Sequence, residues 1–328
     1  MSNLDTSVFT ILNQEAIESG IISEYGSNPY NRSMKEHLKY GMLILDKHAG
    51  PTSHEIVAIV KRILNVEKAG HSGTLDPNVT GVLPIGLNES TKILHTLLLA
   101  PKHYVCILRS AEPIEFDKWK ALSANFNGLI YQVPPLKSNV VKALRKRRIY
   151  DITSLEVLDN EYLFEVSCQA GTYIRTLCID MGKAIGTSSY MKELRRIQSG
   201  PFKENHCLTL TELFDAFEDY KDGLGEDKLR KCIIPIEDGI QHLPKIVLRD
   251  NAIDPVCHGS IINIPAIIAY QDFKRNELIA LLSAKGELIG IGQGLQNSDL
   301  IQQTDNGSII RPNRIVMMRG TYPKYNKT

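Results

Sequence analysis

The chain has 328 residues, 43% hydrophobic and 23% charged, with a formal net charge of +1; this suits one large folded domain and one small one. It has no run of 18 or more apolar residues, which excludes a helical membrane span, and the opening MSNLDTSVFT lacks the basic and apolar regions of a secretory signal. The six cysteines form no C-x-x-C pair, so they read as buried free thiols in a reducing, cytoplasmic setting and not as ligands of a structural zinc ion.

Residues 1–40 are polar and weakly periodic and read as an extension. Met42, Leu43, Ile44 and Leu45 form a short apolar run that predicts a buried strand. After Gly50 and Pro51, Thr52 and Glu55 have capping-box spacing, and Ile56, Val57, Val60, Ile63 and Leu64 recur at helical intervals. Residues 70–81 read as a loop, and 104–108 and 163–168 as strands. Between residues 118 and 150 there are eight Lys or Arg and no acidic residue, five of them being Lys142, Arg145, Lys146, Arg147 and Arg148. A solvated helix face would account for this run, but a phosphate-binding surface fits such one-sided charge better. Residues 169–186 read as a strand-to-helix transition, with Ile174, Leu177, Cys178, Met181 and Ile185 as the apolar stripe and Gly186 at the C-terminal cap. Beyond about residue 235, β-like runs at 245–248, 278–283, 287–291 and 314–318 predict a small, mostly β domain.

The chemistry is concentrated in the segment His71-Ser72-Gly73-Thr74-Leu75-Asp76-Pro77. Pro77 pushes Asp76 out of the α region, so a carboxylate sits on a stiff extended loop between Gly73 and Gly81. Asp before Pro also suits a helix start, with Asp76 as N-cap and Pro77 at N1, but Gly81 and Pro84 follow too soon for a useful helix. The aspartate loop of haloacid-dehalogenase-like phosphatases is a further alternative; it needs a second carboxylate two residues on, where this chain has Asn78.

Taken together, the motifs resemble the TruB/dyskerin family of pseudouridine synthases, and most closely the archaeal catalytic subunit of H/ACA ribonucleoproteins. The matching pieces occur in order: Asp46-Lys47 through Gly50-Pro51-Thr52-Ser53-His54, the HSGTLDP loop, Lys102-His103-Tyr104, Gln132-Val133-Pro134-Pro135, Gly171-Thr172-Tyr173-Ile174-Arg175, and Glu193-Leu194-Arg195-Arg196. Residues from about 243 resemble a PUA domain, in His242-Leu243-Pro244-Lys245, Cys257-His258-Gly259 and Tyr322-Pro323-Lys324. The resemblance implies an α+β fold: a catalytic domain over 41–238 with a mixed, largely antiparallel sheet flanked by helices, and a β-barrel PUA domain over 239–328. The extension 1–40 would pack on the latter.

The resemblance also implies the roles. Asp76 is the nucleophile of an isomerase that breaks the N-glycosidic bond of uridine and rejoins the base through C5, with no metal or cofactor. Attack at C1′ and a glycal route are both open. Tyr104 stacks on the flipped base, Arg175 pairs with Asp76, and Tyr173 is a second pocket tyrosine. Independent of the resemblance, Arg175 lies in the first turn of its helix, where the dipole disfavours a cation by about 0.3–1 kcal/mol unless an anion is near. His71, Lys142 and Arg145 are candidate RNA contacts, and Lys47 and the Thr52-Ser53-His54 segment support the loop. The stretch from Lys137 to Lys142 is more polar than the family's corresponding segment. The substrates implied are rRNA under guide-RNA direction and the T arm of tRNA. The partners implied are H/ACA guide RNA, two small accessory subunits and a kink-turn RNA binder. The competing reading is a silent RNA-binding scaffold, against which the joint presence of Asp76, Tyr104 and Arg175 argues.

Overall fold

The computed structural model describes residues 6–134 and 141–324, so Pro135 and the segment from Lys137 to Val140 lie outside the described residues. The chain opens with β1 (Thr10–Ile11), α1 (Gln14–Ile22) and α2 (Met34–Lys39). β2 (Gly41–Lys47), α3 (Ser53–Leu64), β3 (Ala69–His71), β4 (Thr80–Leu87), α4 (Leu94–Leu99), β5 (Lys102–Ser110) and α5 (Phe116–Asn125) follow. Next come β6 (Gly128–Gln132), β7 (Arg145–Leu158), β8 (Glu161–Cys168), α6 (Ile174–Ala184), β9 (Ser189–Ser199) and β10 (Phe202–Lys203). The helices α7 (Leu210–Lys221) and α8 (Asp227–Cys232) lead to β11 (Ile234–Pro235). The rest of the described chain holds β12 (Lys245–Leu248), α9 (Asp250–Cys257), β13 (Ile262–Asn263), β14 (Ile267–Tyr270), β15 (Leu278–Leu282), β16 (Leu288–Gly294), α10 (Leu300–Gln303) and β17 (Ser308–Ile315).

These strands build two mixed sheets. The larger has ten strands in the order β11-β2-β4-β9-β5-β8-β7-β6, with β3 on β4 and β10 on β9. β4 and β9 run parallel and the other pairs antiparallel. The smaller has seven strands in the order β1-β14-β12-β15-β16-β17-β13. The extension therefore contributes a strand to the second sheet, through Thr10↔Tyr270 and Ile11↔Ala269. Among the described residues no helix is long and apolar enough to cross a membrane.

The apolar run at 42–45 is covered on both faces, which is why it does not alternate. Leu43 and Leu45 pack with Ile56, Val60 and Leu64 of α3, while Met42 and Ile44 join a core that includes Ala280, Leu282 and Ile291 of the second sheet. α3 begins with the Thr52–Glu55 capping box, as its spacing predicts. The basic residues 145–148 lie on the extended strand β7, so the helix-face alternative falls away. One expectation needs correcting. The last strand is β17, Ser308–Ile315, which begins and ends earlier than the run expected at 314–318; Pro312 and a register shift opposite residues 312–314 interrupt it.

A buried ion pair joins the extension to the segment after β11 and, through Leu288, to β16 of the second sheet. Arg32 and Glu237, each under 10% exposed, form a bidentate pair at 2.9 and 2.8 Å, and Glu237 Oε1 also accepts the amide of Leu288 at 2.9 Å. Next to it, the Glu287 carboxylate accepts from Ser27 N at 2.8 Å and from the Tyr322 hydroxyl at 2.7 Å. Removing one partner of such a pair strands the other charge, at a cost of about 3–5 kcal/mol. Arg32→Met should therefore lower urea-denaturation stability by roughly that amount; a loss under about 1 kcal/mol would mean that Glu237 is not left uncompensated.

Candidate active site

Residues 72–79 form the loop between β3 and β4, and three buried side chains hold it. Ser53 Oγ accepts from Leu75 N at 2.9 Å and donates to Leu75 O at 3.1 Å. Lys47 Nζ is fully buried and donates to His48 O, Pro77 O and Val79 O, each at 2.9 Å. Arg196 donates from Nε to Val82 O at 2.8 Å and from Nη2 to Gly73 O at 3.1 Å. Leu75 and Val79 plug into the core beside Tyr104 and Leu177. Asp76, between them, faces out with a side chain 52% exposed. Its carbonyl accepts from Val79 N at 3.0 Å, closing a turn and not a helix, so the N-cap alternative falls away.

Arg175 reaches this carboxylate from the second position of α6. Its Nη2 donates to Asp76 Oδ2 in a short contact between groups 99 residues apart. A half-exposed pair like this contributes little to stability, so its effect is orientation. The start of α6 is itself fixed by Gln132, which is 2% exposed: Gln132 Nε2 donates to Tyr173 O at 3.1 Å and Tyr173 N donates to Gln132 Oε1 at 3.0 Å. Tyr173 is half-buried at the N-cap. Arg147 ties β7 to the same turn through Gly171 O at 3.0 Å.

The other candidates fall as follows. Tyr104, on β5, is 9% exposed, packs in the core with Leu75 and stands opposite Arg196 in the β5–β9 pairing; burial pushes its hydroxyl's pKa up. His71 ends β3, half-buried, with its ring 5.0 Å from that of His54. Arg145 begins β7 and donates to Val141 O at 3.2 Å, and Lys142 lies exposed just before it. Thus Asp76, Arg175, Tyr173 and Tyr104 converge on one loop and its flanks, His71 borders them, and Lys142 and Arg145 sit on the neighbouring hairpin. Arg196, Gln132 and Lys102 were not singled out by the sequence, although each stands in a quoted motif. Lys102 is buried and donates to Leu97 O at 2.9 Å and Ala100 O at 2.5 Å, while burial and then Arg196 push its pKa down to about 7.

Four profiles match the chain in order. They are the DKCLD domain (residues 19–57), the TruB family pseudouridylate synthase N-terminal domain (61–113), the tRNA pseudouridylate synthase B C-terminal domain (175–241) and the PUA domain (244–316). A protein of Methanococcus maripaludis named probable tRNA pseudouridine synthase B is 42% identical over 308 residues, 94% of this chain and 92% of its own length. The chain belongs to the TruB/dyskerin family of pseudouridine synthases. A protein of the same name from Methanocaldococcus jannaschii is 42% identical, over 92% of this chain and 90% of that one. Among solved structures, a chain of a Cbf5-Nop10-Gar1 complex superposes with a TM-score of 0.91 at 39% identity, covering 96% of both chains. A chain of an H/ACA RNP bound to a substrate RNA containing 2′-deoxyuridine gives 0.89 at 37% identity, covering 97% of this chain and 96% of that one. As a member of this family, the protein is an isomerase of α+β fold.

Burial also sets the histidines. It pushes His71 down to about 4, helped by His54 and Arg196, and lowers His37 and His242. A folded-state pKa below the unfolded value of about 6.5 means that the unfolded chain binds more protons in between. Stability from these groups is therefore present above about pH 6.5 and is lost as pH falls toward 4. The urea midpoint should drop between pH 7 and pH 4.5, and His71→Gln should flatten part of that slope; an unchanged slope in the variant would assign the effect elsewhere.

Proposed function

We propose that the protein converts uridine to pseudouridine in rRNA under guide-RNA direction, and in the T arm of tRNA, with Asp76 as the reacting carboxylate. The observation that carries this is the Arg175–Asp76 contact, which presents an oriented, solvent-facing carboxylate on a loop whose flanks are immobilised. The C1′–N1 bond breaks with the base held in the pocket, the uracil turns, C1′ bonds to C5, and the C5 proton is released as N1 takes one up. Whether Asp76 attacks C1′ or removes the C2′ proton, it must meet the sugar of an extruded nucleotide, which costs roughly a few kcal/mol of stacking. Tyr173, half-buried beside Arg175, and Tyr104, in the floor beneath the loop, are the aromatic rings proposed to hold the base, and His71, Lys142 and Arg145 are the proposed RNA contacts.

The division into an extension (1–40), a catalytic domain (41–238) and a PUA domain (239–328) belongs to the same reading. The partners are H/ACA guide RNA and small accessory subunits, the latter by analogy with the complexes of similar chains with Nop10 and Gar1. A cytoplasmic setting suits six cysteines without disulfides.

The test uses RNA tritiated at uridine C5, as a tRNA transcript and as an rRNA fragment with guide RNA and partners. Wild type should release tritium and Asp76→Asn none. Arg175→Ala should slow release by roughly a hundredfold, equivalent to about 2.7 kcal/mol of transition-state stabilisation. Release by Asp76→Asn at the wild-type rate would remove this carboxylate from the mechanism.

A further inference from the structure

Arg196 sits in β9 with 1% of its surface exposed, and among the described residues no carboxylate pairs with it. A guanidinium stays charged at any ordinary pH, so burying one without an anion is costly unless its N–H groups are used well. All of its observed partners belong to the candidate site. It holds Gly73 O and Val82 O, the two ends of the segment that carries Asp76, and it stands opposite Tyr104 in the β5–β9 pairing. Its backbone lies against the same segment: a Cβ on Gly81, whose φ is +105°, would come 2.2 Å from Arg196 O. One planar fork thus sets both the span of the loop and its distance from the Tyr104 ring.

We infer that Arg196 is a positioning residue for the isomerisation, fixing Asp76 and Tyr104 relative to each other without touching RNA; this rests on the roles proposed above for those two residues. Lysine would keep the charge but cannot span the two carbonyls Val82 O and Gly73 O with a planar fork. Arg196→Lys and Arg196→Gln, made in the full chain, separate this role from simple packing. On the RNA substrate that wild type modifies, the single-turnover rate should fall roughly a hundredfold, because a misplacement of about 1 Å costs that much. RNA Kd should stay within about twofold, because positioning acts on the transition state and not on ground-state binding. Because Arg196 and Tyr104 are cross-strand neighbours, adding Tyr104→Phe to Arg196→Lys should slow the reaction less than the two single losses combined.

An unchanged rate in a folded variant would overturn the inference. So would rate and RNA affinity falling together with Tm, which is the signature of a packing role, or strictly additive losses. If neither position-196 variant folds, Tyr104→Phe alone decides: a slower single turnover at unchanged RNA affinity supports the coupling, and an unchanged rate overturns it. Should wild type release no tritium from any substrate, the isomerase reading itself fails and takes this inference with it.

Discussion

A carboxylate that is to react with a bulky substrate must be rigid and yet uncovered, and these demands conflict. Asp76 cannot be held by many bonds of its own, so its neighbours are held instead. Leu75 is pinned by Ser53, Pro77 and Val79 by Lys47, and Gly73 and Val82 by Arg196. Lys47 and Arg196 are buried cations whose side-chain hydrogen bonds, among the described residues, go to backbone carbonyls, and they make a positive floor near the loop. Carbonyls satisfy the N–H groups without cancelling the charge, so a negative group above them is favoured.

Sheet topology delivers these groups from distant parts of the chain. β4 lies between β2 and β9, so the loop entering β4 has Lys47 on one side and Arg196 on the other. β9 also pairs with β5, which places Tyr104 opposite Arg196. At the far edge β6 brings Gln132 to the turn before α6, and that turn aims Arg175 back at Asp76. The parallel β4–β9 contact is short, Thr80↔Arg195 and Gly81↔Arg196, and it works because Gly81 has no side chain to clash with the Arg196 carbonyl.

What could be read in the sequence was local. The strand at 42–45, the capping box of α3, the stiff Asp-Pro loop and the stripe of α6 with Gly186 after its end each depend on residues a few positions apart. The supporting groups depend on partners far away: Arg196 bonds across 114 and 123 residues, and Gln132 across 41. No periodicity records such bonds, so in the sequence Arg196 is only a charge in a strand. Helix α9 and the first part of β17 had no mark in the sequence pattern; Pro255 lies in the one and Pro312 in the other, tolerated near an end or at an irregular register. The basic run was legible as charge but not as shape, because its strand is paired with Leu129 and Tyr131, outside the run's own pattern.

The junction of the two sheets follows the same logic as the loop. Apolar contacts between Met42, Ile44, Ala280 and Ile291 bring the sheets together, but such contacts tolerate sliding. The Arg32–Glu237 pair does not, because a bidentate geometry and the Leu288 amide admit one arrangement. Buried pairs are weak sources of net stability compared with apolar residues of equal volume. Their presence here is better explained by orientation: they fix how the second sheet, and any RNA held on it, faces the Asp76 loop.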